Sequence, residues 1–301
     1  MLKKFLRNLH GLAVFSASTI NTVILFLPIM IFALLKFLVP IPKFRNLMTA
    51  WIMVVGEIWI AFNGVIFATG SRTTWDVRGL EGLGQKDWYL VISNHQTWVD
   101  IVVLQTVLNR RIPFLKFFIK QELIWFPFLG LAWWAMDMPF MKRYSKSYLA
   151  KYPEKKGEDL EATRVACQKF RDTPTSVINF VEGTRFTEEK KARRASTYEY
   201  LLPPRAGGVA LALSSMGDMF DAILDVTIVY PRGPAQFWAM VCGEFEHVIV
   251  DIVRRPIDPK IYQGDYQNDR EFRRNFHQWL TQIWEEKDRK IDQIRKSQFA
   301  E

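Results

Sequence analysis

An α/β domain with a mixed sheet flanked by helices, preceded by an N-terminal two-helix membrane motif, is the fold class this sequence predicts. Three observations lead there. Residues 11–39 and 47–69 are long apolar runs, each carrying a single charge. From residue 71 onward, short apolar runs alternate with helix-like segments, the pattern of a sheet covered by helices. Hydrophobic residues make up 49% of the 301, with eleven Trp and 23 Phe, enough for a substantial core and too many for a disordered chain.

The first run, "GLAVFSASTINTVILFLPIMIFALLKFLV" (11–39), has Lys36 as its only charge, near the end. As a helix it would extend about 43 Å, beyond a hydrocarbon core of about 30 Å, and Pro28 predicts a kink. The second, "LMTAWIMVVGEIWIAFNGVIFAT" (47–69), is interrupted only by Glu57. Glu57 reads as a functional intramembrane charge, a partner for a lysine, or a hydrated kink. The length of the first run and the presence of a second argue against a cleaved signal peptide. Lys3, Lys4 and Arg7 favour a cytoplasmic N-terminus, yet Lys43 and Arg45 occupy the connecting loop. A hairpin dipping into one leaflet and two full spans both remain open. Each leaves the α/β domain, residues 71–301, on the same side as the N-terminus of the membrane segment, residues 1–70.

Charge follows this division. Residues 1–70 hold six basic residues against one acidic, a balance of +5, while the remaining 231 hold 34 basic and 30 acidic, only +4. A nucleic-acid binder concentrates basic charge on its folded domain; here the excess flanks apolar segments and points to anionic membrane lipid. Cys167 and Cys242 fit no metal spacing and no disulfide framework, and read as small core residues of a reducing compartment.

Within the α/β domain, strands are expected at 88–92, 113–119, 138–141, 176–181, 222–230 and 236–251. A helix is expected at 157–171, with Leu160, Thr163, Cys167 and Phe170 on one face. Phe272, Phe276, Trp279, Leu280 and Ile283 form an apolar stripe on a late charged helix, expected to pack on the core. Residues 184–200 are a charged surface loop. Four strands are each followed at once by polar groups: His95, Lys120, Arg143, and Glu182 to Arg185. In open α/β sheets the carboxyl ends of the strands form the ligand crevice, so these groups are expected to gather at one site. A base among several cations suits a nucleophilic substrate that carries phosphate.

The stretch "SNHQTWVD" (93–100) holds the candidate base. On one continuous helix His95 and Asp100 would point about 140° apart. With Thr97 as the N-cap, His95 instead lies in the turn before the helix, and Asp100 in its first turn can reach back to hold one ring nitrogen. No nucleophile-elbow motif accompanies the pair, so His95 is read as deprotonating a hydroxyl of the substrate itself.

The blocks "NHQTWVD" (94–100), "FMKR" (140–143), "EGTRF" (182–186) and "LLPPRAGG" to "VTIVYP" (201–231) resemble, in order and spacing, those of the glycerolipid acyltransferase superfamily. The chain looks most like its 1-acylglycerol-3-phosphate (lysophosphatidate) acyltransferases, and "IKQELIWFPFLG" (119–130) resembles that family's segment between the first two blocks. The resemblance implies transfer of a fatty acyl group from acyl-CoA or acyl carrier protein to a glycerol hydroxyl, with no further cofactor and no metal. His95 would be the general base of an N-H-x4-D motif and Asp100 its orienting partner. Asn94 would support the turn or the thioester. Arg143, Glu182, Gly183, Thr184 and Arg185 fall on acceptor-binding positions, Lys120 on a basic position near the phosphate, and Arg205 where many members carry lysine. Acylation of glycerol-3-phosphate or of a phosphate-free acceptor, a non-catalytic lipid-binding protein and a thioester hydrolase are the alternatives. The polar tail, where many animal relatives add apolar segments, leads one to expect a bacterial member at the inner membrane, its catalytic domain on the cytoplasmic side. Residues 123–140, "LIWFPFLGLAWWAMDMPF", are unusually apolar for a segment between two site motifs. Core burial is the expectation for most of them, with an acyl-chain tunnel or the bilayer surface as alternatives.

Overall fold

The computed structural model describes residues 1–141, 151–152, 170, 173–234 and 236–298. It opens with two helices, α1 (Leu2–Leu38) and α2 (Pro42–Ala68), which pack against each other as a hairpin. α1 continues through Pro28, and Pro42 starts α2 at the position where its missing N–H costs nothing. Polar side chains cross-link the pair: Asn21 Nδ2 donates to Asn63 Oδ1 (3.0 Å) and Trp59 Nε1 to Thr22 Oγ1 (3.0 Å). Only Gly11, Val14, Ile29 and Ala33 of α1 are buried, whereas Leu12, Ile20, Ile24, Leu27, Ile31 and Leu34 are exposed. Glu57 finds its partner outside the hairpin, in Arg110 at 3.6 Å.

Then follow β1 (Thr74–Arg78), β2 (Tyr89–Ser93), α3 (Val99–Leu108), β3 (Leu115–Phe117), β4 (Ile119–Lys120), α4 (Leu129–Ala135) and β5 (Phe140–Met141). The remainder comprises β6 (Ser176–Phe180), α5 (Glu188–Arg193), α6 (Ala206–Met216), β7 (Ala222–Val229), α7 (Phe237–Val241), β8 (His247–Arg255) and α8 (Arg270–Gln298). Six strands form one sheet in the order β1-β8-β7-β2-β6-β3, parallel except between β7 and β8. The expected mixed sheet is therefore present. β2 and β7 are buried along their whole length, which is why they read as continuous apolar runs. Val209 and Leu213 of α6 and Phe276, Leu280, Ile283 and Trp284 of α8 cover one face, so the late apolar stripe packs on the core as expected. Val99, Val103 and Leu104 of α3 cover the other, together with Val14 of α1 and Met240 and Val241 of α7. Lys287 of α8, buried, ties that helix to β7: its Nζ donates to Val226 O (2.6 Å) and pairs with Asp225 (2.6 Å).

Several expected elements differ. The 236–251 strand is a helix, α7, followed by a separate strand, β8, with Gly243 at φ +73° between them. A Cβ on Gly243 would come within 2.8 Å of Gly70 O, so the bend requires glycine. An apolar run of this length does not distinguish helix from strand by periodicity. The 113–119 strand breaks at Phe118 into β3 and β4, and β4 pairs with β5 in a separate two-stranded sheet. β1, which no apolar run announced, is a partly exposed edge strand. The helix expected at 157–171 lies outside the described residues except for Phe170, which is buried in the core. Residues 123–134 depart most from expectation. Leu123, Trp125, Phe126, Phe128, Leu131 and Trp134 are exposed, and only Gly130 and Ala132 among their neighbours are buried.

Candidate active site

β2 ends at Ser93, and the chain turns through Asn94–Thr97 into α3. The turn is pinned to β7 by Asn94, whose Nδ2 donates to Ile228 O and whose Oδ1 accepts from Ile228 N, both at 2.9 Å. Gln96 Nε2 adds a bond to the same carbonyl oxygen (2.8 Å). Asn94 is fully buried, so of its two expected roles the structure supports the turn and not the thioester.

The turn presents His95 to Asp100 as the spacing required, with Nδ1 2.8 Å from Asp100 Oδ2. The helix starts at Val99, one residue later than a cap at Thr97 would give, and the Val99 amide donates to Thr97 Oγ1. The amides of Gln96 and Thr97 donate to the same Asp100 oxygen, and Tyr230 Oη donates to the other (2.6 Å). Asp100 is buried and accepts from the two amides and the phenol, so Nδ1 is the ring nitrogen it holds, and His95 lines the groove beyond it. Burial, then the charge of Asp100, pushes the Tyr230 phenol well above its ordinary range, so it remains a donor. Phe180 stacks on the imidazole at 4.0 Å and fixes its plane.

The turn after β6 holds this arrangement from behind. Glu182 Oε1 accepts from His95 N (2.8 Å) and Oε2 from Leu202 N (2.9 Å). Expected at the acceptor, Glu182 is instead fully buried and spends both oxygens on backbone, so it supports His95 and does not reach the ligand space. Gly183, at φ +66°, makes the turn; a Cβ there would press to 3.0 Å from Arg205 Cδ. Thr184 Oγ1 accepts from Lys190 Nζ (3.0 Å). Arg185 lies over the exposed ring of Trp98 at 4.7 Å and has no acidic partner among the described residues. Arg205, just before α6, likewise has none among the described residues, whereas Lys120 pairs with Glu122 at 3.2 Å. Arg143 lies outside the described residues.

His95, Lys120, Gly183, Thr184, Arg185 and Arg205 all open on one groove of about 2,040 Å³, larger than ordinary ligand pockets of roughly 300–1,000 Å³. Phe15, Thr19 and Thr22 of α1 and Trp59 of α2 line its apolar arm. Of the four groups expected to gather at the strand ends, those at His95, Lys120 and Gly183 to Arg185 share this groove, with Asn94, Asp100 and Glu182 behind it, while the fourth, Arg143, lies outside the described residues.

Residues 74–231, just over half of the chain, match the family described as Acyltransferase. This chain belongs to that family. The human 1-acyl-sn-glycerol-3-phosphate acyltransferase delta is 24% identical over 217 residues, covering 67% of this chain and 52% of that protein. The human gamma enzyme of the same name is 25% identical over 223 residues, with the same coverage. The chain therefore spans about half the length of the curated relatives it matches. The crystal structure of the 1-acyl-sn-glycerophosphate (LPA) acyltransferase from Thermotoga maritima covers 92% of this chain and 98% of its own, at a TM-score of 0.47 and 17% identity.

Sequence reasoning missed four contributors to this acyltransferase site: Tyr230, Phe180, Trp98 and Gln96. Tyr230 had a visible signal, a tyrosine closing the "VTIVYP" run, while the other three depend on how the two turns face each other. Glu182 offers a test of the support role. Burial pushes its carboxyl up to about 7, against the pull of the two amides. The folded value exceeds the ordinary 4.5, so the folded protein binds this proton more tightly than the unfolded chain. That stabilising contribution, on the order of 3 kcal/mol, is complete below about pH 4.5 and lost as pH rises through about 7. Glu182→Gln does not titrate, so thermal unfolding should show wild type losing stability relative to the variant between about pH 5 and about pH 8. A pH-independent difference would contradict this.

Proposed function

We propose that this protein transfers a fatty acyl group from acyl-CoA or acyl carrier protein to the free hydroxyl of lysophosphatidate or a closely related lysophospholipid. One observation carries the reading. His95 Nε2 opens on the same groove as Arg185 and Arg205, and among the described residues Nε2 has no hydrogen-bond partner and neither guanidinium has an acidic one. Nε2 takes the proton of the acceptor hydroxyl as its oxygen attacks the thioester carbonyl. Collapse of the tetrahedral intermediate breaks the carbon–sulfur bond, and the imidazolium returns the proton to the departing thiolate. Asp100 holds Nδ1–H and stabilises the imidazolium. Arg185, backed by Arg205, grips the acceptor phosphate, which a guanidinium binds in bidentate fashion. The apolar arm between the hairpin and the domain takes the acyl chain. The relatives named for 1-acyl-sn-glycerol-3-phosphate acylation support the acceptor class. The test is a panel assay of purified protein with labelled lysophosphatidate, other lysophospholipids, glycerol-3-phosphate and monoacylglycerol, against both donor types. Phosphate-bearing lyso-acceptors should lead; a preference for monoacylglycerol would overturn the acceptor assignment.

We place the catalytic domain on the membrane surface, bound through a hairpin that stays on one side. Arg7 pairs with Glu244 (2.9 Å) and Lys36 with Asp137 (2.6 Å), so the domain accompanies α1 along both ends. Those contacts lie about 43 Å apart along the helix, more than a hydrocarbon core. A full crossing would carry Asp137 to the far side, away from Glu244, and sink Arg110, the partner of mid-helix Glu57, into the hydrocarbon. The protein should therefore stay on membranes through high-salt washing, since salt screens charge but leaves apolar insertion intact. Release by salt alone would contradict this, and proteolysis of the 40–46 loop from the side opposite the domain would restore two full spans.

A further inference from the structure

The exposed aromatic segment before α4 has no role in the chemistry above. From Leu123 to Met136 fourteen residues carry no charge. Trp125 is 86% exposed, and Phe126, Phe128, Leu131 and Trp134 are each about half exposed. A soluble surface rarely leaves so contiguous an apolar patch uncovered. Its surroundings indicate what covers it. Phe128 meets Phe26 of α1 edge to face at 5.3 Å, so the patch continues the exposed apolar face of the hairpin. Charges bound it on both sides, at the Lys120–Glu122 pair and at the Lys36–Asp137 pair. Tryptophans bordering an apolar band are the pattern of a membrane–water interface. Phe128 is held at φ +60°, a conformation that non-glycine residues rarely adopt, at the bend where the aromatic rings are turned outward.

The same segment also forms a wall of the groove. Leu123, Phe126, Pro127, Phe128, Leu129 and Trp133 line the catalytic groove. We infer that residues 123–134 are a second membrane-inserting element, separate from the hairpin, that sinks one wall of the groove into the bilayer so that the lysolipid acceptor enters laterally from the leaflet. A polar partner protein would leave these rings facing unmatched groups; a lipid surface matches them and is already adjacent along α1. The inference rests on the membrane placement proposed above.

The test attaches an environment-sensitive nitrobenzoxadiazole fluorophore to Trp125→Cys, with Glu81→Cys as the solvent-exposed control and identically treated wild type as the blank. Proteins are bound to vesicles of phosphatidylethanolamine and phosphatidylglycerol, with and without a lipid carrying a doxyl quencher on its acyl chain. The label at 125 should shift to the blue and be quenched, while the label at 81 should report water. Protein that floats with the vesicles but leaves the 125 label as unquenched as the control overturns the inference and leaves the hairpin reading intact. Protein that does not float at all overturns both. As a second readout, a Trp125→Glu, Trp134→Glu double variant should still float. Its activity should fall about tenfold, equivalent to about 1.4 kcal/mol, on acceptor embedded in vesicles. On short-chain acceptor dispersed in water it should change by less than about twofold, well under 1 kcal/mol. Equal losses on both presentations would contradict entry from the leaflet.

Discussion

Replacing His95 with alanine is expected to lower turnover by about 10² to 10⁴ while the protein stays folded, as removal of a general base does. Asp100 holds four donors, His95 Nδ1 among them, so the imidazole is oriented with Nε2 toward the groove. The fold should survive because the turn does not depend on the imidazole. His95 N still donates to Glu182, Phe186 N still donates to His95 O (2.7 Å), and Asn94 still pins the turn to β7. What is lost structurally is the ring stacked on Phe180 and one of the four donors to Asp100, which keeps the amides of Gln96 and Thr97 and the Tyr230 hydroxyl. Steady-state kinetics beside thermal unfolding checks both halves. A folded His95→Ala protein with full activity would remove the histidine from the mechanism.

Arg185→Ala should raise the Michaelis constant for lysophosphatidate at least about tenfold, equivalent to about 1.4 kcal/mol. Arg185 has two ways to be merely structural, and the geometry bears on each. It does not pair with Glu182, whose oxygens are both taken by backbone amides, nor with Glu188 or any other acid among the described residues. Its contact with Trp98 is a stacking interaction at an exposed ring, worth about 0.5–1 kcal/mol, which orients the guanidinium and leaves its N–H donors for a ligand. The donor's constant should move by no more than about twofold, well below the energy of one phosphate contact. Phosphate-free acceptors should lose far less than lysophosphatidate. Equal losses across acceptors would make Arg185 a loop-holding residue.

Much of this site was legible before the structure because it rests on short-range geometry. A histidine one turn ahead of a helix and an acid in its first turn must meet, and Gly183 is glycine because the turn runs at φ +66°. Direction was not legible. Whether Glu182 and Asn94 point into the groove or behind it depends on which strand lies opposite, and both turned inward to β7 and the Leu202 loop. The segment 123–134 misled for a different reason: apolarity predicts burial only when water is the alternative, and here the neighbouring surface is an apolar helix hairpin. The run 236–251 shows the remaining limit, since only Gly243 marked the bend that separates helix from strand.

In the proposed mechanism the base activates the acceptor hydroxyl and not water. Purified protein given a labelled acyl thioester should leave it nearly intact until lysophosphatidate is added, after which thioester consumption and phosphatidate formation should match one to one. Release of free fatty acid at a comparable rate without acceptor would identify a hydrolase and contradict the claim, as would acceptor binding with no consumption of the thioester.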